Sequence, residues 1–181
     1  MGVTLPKVLI VECVGKNDPG SEGNFLLHMF NILQVKAQYL QLETKEQMLA
    51  IMNCIPNSVE YIHFTTHGLI GDGCEGLWTP LGSVELEDLE IIRPDFSGKC
   101  VLTSACEAGG SSFRKRFRVA TGCNYYIAPA ESVSFKNAMF FSHLFYYNCF
   151  VLKKDVKRSF DAYTSRYKNM YKWTLQTRRV S

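Results

Sequence analysis

The chain has 181 residues, of which 46% are hydrophobic, 20% charged and 13% aromatic, with a formal net charge of +3. That is one domain's length, enough to bury a sizeable core. The aromatic content excludes a disordered chain, and 13 Gly with 6 Pro exclude a collagen-like one. The charge is uneven: residues 1–113 carry 6 basic and 14 acidic side chains, net −8, and residues 114–181 carry 14 basic and 3 acidic, net +11. Such a split marks a nucleic-acid or membrane surface, or two halves that interleave in the fold with solvated charges; the second reading is the simpler.

The first predicted element is a strand over Lys7–Cys13, a short apolar run of the kind buried on both faces of a sheet. A loop over Gly15–Gly23 turns at Pro19-Gly20, and a helix over Asn24–Leu33 places Phe25, Leu26, Met29, Phe30 and Leu33 on one stripe. Val35–Leu42 reads as the second strand. Thr44 with Gln47 forms a capping box for a helix running to about Ile55. The third strand is Tyr61–Thr66. Gly71, Gly73, Gly76 and Gly82 punctuate a hairpin or loop, followed by a short helix over Glu87–Ile92. Cys100–Ala105 is the fourth strand; Ser111 or Ser112 caps a helix ending at Gly122. Tyr125–Ala128 is the fifth strand. Helices over about 134–152 and 155–171 and a polar tail complete the chain.

Strands alternating with helices predict one α/β domain over 1–181, with a mostly parallel central sheet and helices on both faces. The apolar stretch Ala138–Leu152 is interrupted by Ser142, His143 and Asn148 and falls short of the ~20 residues of a membrane helix. No cleavage site follows Val8–Val11, and Pro6 stands where myristoylation at Gly2 wants Ser or Thr. A soluble, cytoplasmic protein with no membrane partner is the expectation. The seven Cys are scattered, odd in number and without a C-x-x-C, which suggests neither disulfides nor zinc. No metal and no cofactor are expected.

In parallel sheets chemistry sits at the carboxyl ends of strands. Two such ends carry reactive groups. The third strand ends in Thr65-Thr66-His67-Gly68, and the fourth in Thr103-Ser104-Ala105-Cys106-Glu107-Ala108-Gly109-Gly110. If these strands are neighbours, His67 and Cys106 emerge side by side, and the imidazole can take the thiol proton. Gly68 admits a substrate carbonyl close to the backbone, so the Gly68 and Cys106 N–H groups can form an oxyanion hole. Other candidates are weaker. His63 and His67 lack the His-Glu-x-x-His helix of a zinc peptidase, and Gly15-Lys16 lacks the order of a phosphate loop. His28 and His143 read as core histidines of apolar helices. The basic run Arg114–Arg118 reads as a solvated helix face rather than a phosphate site.

His-Gly after one strand and Ser-Ala-Cys-x-x-Gly after a later one resemble the caspase-like cysteine peptidases, most of all their CHAT-type branch. The resemblance covers roughly Lys7–Lys168, although the histidine lies 39 residues before the cysteine rather than about 50. It implies a caspase-like three-layer sandwich and a cysteine endopeptidase acting on protein substrates. In it Cys106 is the nucleophile, His67 the general acid/base and Gly68 an oxyanion donor, a dyad with no orienting acid. In that family the residue two before the cysteine helps choose the substrate side chain, Gln for acidic and Asp for basic; Ser104 matches neither. Ser104, the loop Lys16–Glu22 with Asp18 and Glu22, and Glu131 after the fifth strand are the expected pocket lining; an inward carboxylate there selects a basic side chain, and carboxylates facing solvent leave a neutral or apolar one beside Ser104.

The resemblance suggests a setting in bacterial defence or regulated cell death. An open cytosolic peptidase is hazardous, so the isolated chain is expected to be latent until an activating partner, a fused sensor domain or self-association releases it. The tail around Arg178 and Arg179 looks like that of a domain excised from a longer chain. The alternative is a catalytically inactive caspase-like module that binds a protein partner, or less plausibly nucleic acid, through its basic half.

Overall fold

A computed structural model describes residues 5–15, 18, 22–71, 73–167 and 172–177. The elements run β1 (Val8–Cys13), α1 (Glu22–Ile32), β2 (Ala37–Gln41), α2 (Lys45–Asn53), β3 (Tyr61–Thr66), β4 (Gly68–Gly71), β5 (Gly73–Thr79) and β6 (Gly82–Glu85). There follow α3 (Leu86–Ile92), β7 (Cys100–Thr103), α4 (Ser111–Thr121), β8 (Tyr125–Pro129), α5 (Phe135–Phe150), α6 (Val156–Arg166) and β9 (Trp173–Thr177).

Six strands form one sheet in the order β2-β1-β3-β7-β8-β9, parallel except for β9. Alternate residues of a strand face opposite sides, and both sides of β1 are covered. Leu9, Val11 and Cys13 pack with Met48 and Met52 of α2, Leu86 and Leu89 of α3, and Phe113 and Phe117 of α4. Val8 and Ile10 pack with Leu26 and Phe30 of α1, Phe141 and Phe145 of α5, and Phe160 and Tyr163 of α6. The result is an α/β/α arrangement of three layers. Chain order reverses between β1 and β3: β1 leads outward to β2, and β3 returns to its other side. That switch point is where an open parallel sheet leaves a crevice beyond its strand ends.

Local signals account for the boundaries. Thr44 accepts from Gln47 N–H and the Gln47 side chain returns the bond, so the expected capping box is formed. Gly122 closes α4 in the left-handed conformation, φ 68°. The cap that starts α4 is Gly110 rather than Ser111 or Ser112. The turn at Pro19-Gly20 lies outside the described residues.

Of the two readings of the glycine-punctuated stretch, the structure has the hairpin, extended to a three-stranded antiparallel sheet, β4-β5-β6, with Leu77 and Val84 buried in the core. Two expectations are corrected. The last helix stops at Arg166. The polar tail contains β9, which pairs antiparallel along β8 from Trp173↔Pro129 to Thr177↔Tyr125. Trp173 is 6% exposed and stacks on Phe141 with ring centroids 3.7 Å apart. An indole buries roughly 200 Å², about 5 kcal/mol at 25 cal/mol per Å² as an upper figure, enough to draw a polar segment onto the sheet.

The charge split resolves in part into contact between the halves. Arg116 on α4 meets Glu87 at 2.6 Å and Glu90 at 2.8 Å, both on α3. No helix among the described residues is long and apolar enough to cross a membrane.

Candidate active site

Three strand ends build the site, and register sets their heights. Cys13 at the end of β1 pairs with Thr66 at the end of β3, so the segments leaving β1 and β3 start level. Phe64 of β3 pairs with Thr103 of β7. His67 and Cys106 each lie three residues beyond that pair, His67 directly after β3 and Cys106 in the turn after β7, on segments that leave neighbouring parallel strands. Both line one cavity of about 380 Å³, together with Thr66, Ser104, Val133 and Phe135.

The His67 ring is held from several sides. Trp78 of β5 and Phe135 at the start of α5 meet it edge to face, at centroid distances of 5.5 and 5.4 Å. Trp78 is fixed in turn, since its N–H donates to His67 O at 2.9 Å and Thr66 Oγ1 donates to its carbonyl at 2.5 Å. The antiparallel sheet after His67 therefore supplies a wall of the site. Asp18 Oδ2 lies 3.3 Å from His67 Nε2 and also accepts the Gly15 N–H at 2.8 Å. Asp18 N–H donates to Gly15 O at 3.0 Å, so the carboxylate is fixed to its own loop.

Cys106 is half-buried in a turn tied to the ends of β8 and β9. Gly109 N–H donates to Pro129 O at 2.7 Å, Glu107 N–H to Glu131 O at 3.4 Å, and Thr174 Oγ1 to Gly109 O at 3.1 Å. Glu107 takes a left-handed φ of 60°, a conformation costing a non-glycine residue about 1 kcal/mol or more. Strain of that kind sits where a backbone turn must aim a side chain. The Cys106 Sγ receives the Val133 N–H at 3.3 Å and donates to Val133 O at 3.6 Å. Gly68 is sterically required, because a Cβ there would overlap the Cys106 carbonyl oxygen.

The expected pocket residues separate. Ser104 is 6% exposed and lines the cavity. Glu22, 2% exposed, lies behind it, where Ser142 Oγ donates to Oε1 at 2.8 Å and His63 Nε2 stands at 3.3 Å. Burial alone would push this carboxyl up; His63 first, then the Ser142 and Ser104 hydroxyls, outweigh it and hold the group below its ordinary value. Ser104 Oγ stands close enough to favour the charge yet short of a formed hydrogen bond, and Glu22 Oε2 carries no hydrogen bond either. Asp18 faces His67. Glu131 is exposed, does not line the cavity, and accepts the Lys172 N–H at 2.9 Å, which makes it a tie to the β9 segment rather than a pocket wall. Lys16, Asn17, Pro19, Gly20 and Ser21 of the expected pocket loop lie outside the described residues.

Glu12 explains how Glu22 reaches its place. This buried carboxylate on β1 accepts the Gly23 N–H at 3.1 Å, at the start of α1, and a hydrogen bond from Tyr39 Oη at 2.5 Å.

Four other thiols are buried, those of Cys13, Cys100, Cys123 and Cys149. Burial pushes Cys13 up to about 12 and Cys123 up to about 11, and raises Cys100 and Cys149. These stay protonated and poorly nucleophilic at neutral pH. Cys54 is exposed. The buried core histidine is His63; His28 is exposed and His143 only half-buried, contrary to the core reading of that pair. A larger cavity of about 630 Å³ runs along β5, α3 and the start of α4, lined by Glu75, Glu85, Glu87 and Glu107; neither His67 nor Cys106 borders it. No group of three potential metal-ligating side chains occurs among the described residues.

Compared with known proteins, the sequence matches no family model and no curated protein.

Proposed function

We propose that the chain is a cysteine endopeptidase of the caspase-like, CHAT-type kind. The observation that carries this reading is the level emergence of His67 and Cys106 from neighbouring parallel strands into one cavity. The Cys106 S–H proton passes to the His67 imidazole, and the sulfur attacks the peptide carbonyl carbon. The S–C bond forms as the carbonyl electron pair moves to oxygen. Collapse of that intermediate breaks the C–N bond, and the imidazolium gives its proton to the leaving amine. Water, deprotonated by the same imidazole, then splits the thioester and restores the thiol. Gly68 and Cys106 N–H groups are the assigned oxyanion donors.

The pocket supports a basic residue before the scissile bond. Ser104 forms its wall and the charged, incompletely hydrogen-bonded Glu22 lies behind it. Protein is the substrate class, and the chain is taken to be latent until a partner, a fused domain or self-association activates it.

The test is an electrophilic peptide probe panel followed by mapping of the modified cysteine, with turnover measured on the matched peptide. Cys106→Ala should abolish turnover, and His67→Ala should lower it about 10²–10⁴-fold, the range of a lost general base. Wild-type turnover by Cys106→Ala sinks the peptidase reading.

A further inference from the structure

On the peptidase reading, we propose that Asp18 is a positioning residue, the orienting carboxylate that turns the Cys–His pair into a Cys–His–Asp triad. Its Oδ2 lies 3.3 Å from His67 Nε2. Sequence spacing gives no sign of this contact across 49 residues. Sheet register produces it, because the loops after Cys13 and Thr66 leave a level pair on adjacent strands at the switch point.

The chemistry follows from the two ring nitrogens. A neutral imidazole carries one N–H, and the partner of one nitrogen fixes which. A carboxylate only accepts, so Asp18 selects the tautomer with the hydrogen on Nε2. The lone pair is then on Nδ1, the nitrogen left to take the Cys106 proton. When Nδ1 is protonated, the Nε2–H still points at Asp18, whose negative charge balances the imidazolium. Asp18 neither gains nor loses a proton in the cycle.

The surroundings support a positioning role. Trp78 and Phe135 contact the ring edge to face and offer no competing acceptor there. The other titratable groups lining the cavity with His67 are Cys106, the reaction partner, and Lys136, a cation that cannot accept Nε2–H. The Gly15 N–H bond to the same Oδ2 aims the carboxylate without a second charged side chain. The His67 and Asp18 side chains are 41% and 26% exposed, so water competes for the contact and the effect is moderate.

The experiment pairs a spectroscopic readout with kinetics. Long-range ¹H–¹⁵N correlation spectra of ¹⁵N-labelled full chain, taken where the imidazole is neutral and assigned with His67→Gln, report the tautomer directly. The wild type should show His67 as the Nε2–H form. In Asp18→Asn the amide can donate to Nε2, so the Nδ1–H form should grow, and in Asp18→Ala both forms should be populated. Turnover of the peptide found with the probe panel should drop about 10- to 100-fold in kcat for Asp18→Asn, with KM within about twofold. Circular dichroism checks that the variants are folded. If Asp18→Asn leaves tautomer and kcat as in wild type while Cys106→Ala is dead, the Asp18 role is overturned and the peptidase reading stands. If the wild-type chain cleaves no peptide of the panel, the peptidase reading falls and takes this role with it.

Discussion

Gly68→Ala separates the geometry of the site from its chemistry, because it adds one methyl group and removes no functional group. The new Cβ would overlap the Cys106 carbonyl oxygen and lie 3.2 and 3.4 Å from Cys106 C and N. All three are backbone atoms in a turn tied to β8 and β9, so no flexible side chain can yield. Overpacking of this kind costs about 1–3 kcal/mol, which a domain of this size survives. Relief requires β4 or the Cys106 turn to shift, and a misplacement of about 1 Å between reacting groups is worth about 10²-fold in rate. The alanine keeps its N–H, so the loss reports displacement rather than a missing oxyanion donor. Gly76→Ala is the matched control: its Cβ would meet Val84 O at 2.6 Å in the same small sheet, and Gly76 does not line the cavity. Denaturant unfolding should show comparable stability losses for both variants. Peptide turnover per folded molecule should fall about 10²-fold for Gly68→Ala alone. Wild-type kcat/KM in Gly68→Ala, or equal inactivation by Gly76→Ala, refutes the argument.

Glu22→Gln should weaken the selection of a basic residue in a peptide library, and unchanged selectivity removes Glu22 from the pocket. The same variant should cost about 1.5–3 kcal/mol at neutral pH, the worth of a buried hydrogen bond to a charged group, because it removes the carboxylate that Ser142 donates to beside His63. Because folding lowers the Glu22 pKa, its stabilising contribution is complete above the ordinary carboxyl range and is lost as pH falls through the lowered value. The stability gap between wild type and Glu22→Gln should therefore narrow below about pH 4, and a constant gap down to pH 2 contradicts the assignment. Latency predicts that specific activity rises with protein concentration, and that salt suppresses the rise if the −8 and +11 halves of different copies meet. Full activity in the dilute monomer, independent of salt, removes that form of control.

The α/β architecture is legible in the sequence where burial is two-sided. Val8–Cys13 and Cys100–Thr103 are short, mostly apolar runs, and Tyr61–Thr66 is rich in β-branched and aromatic residues, as fits strands covered on both faces. The placement of His67 and Cys106 on neighbouring segments is legible as well, although β7 stops at Thr103, two residues before its expected end, so that Cys106 lies in the turn beyond it. What escapes a sequence reading depends on partners far along the chain. Glu22 reads only as one acid of an expected pocket loop; its burial comes from Ser142, 120 residues on, and His63. The β9 strand reads as a polar tail because only Trp173 marks it, and the attraction comes from Phe141. The β4-β5-β6 sheet reads only as hairpin or loop because its glycines mask the strand pattern; Gly76 is there for close backbone approach, not for flexibility.

Asp18 and Glu22 stand four residues apart, one in the β1–α1 connection and the other opening α1, yet have opposite environments. One is partly exposed against His67; the other is buried behind Ser104 and held by His63 and Ser142. Both placements follow from β1 lying beside β3 at the switch point, with Glu12 of β1 fixing the start of α1 at Gly23. On the proposed reading, a single short connection then carries two separable functions, the tautomer of the base and the charge of the pocket. The two should part cleanly by mutation. Loss at Asp18 should lower kcat across all substrates alike, whereas loss at Glu22 should redistribute kcat/KM among them, because only the second carboxylate discriminates between side chains. A shared effect on both quantities from either change would mean that the connection moves as one body and that the two carboxylates do not act independently.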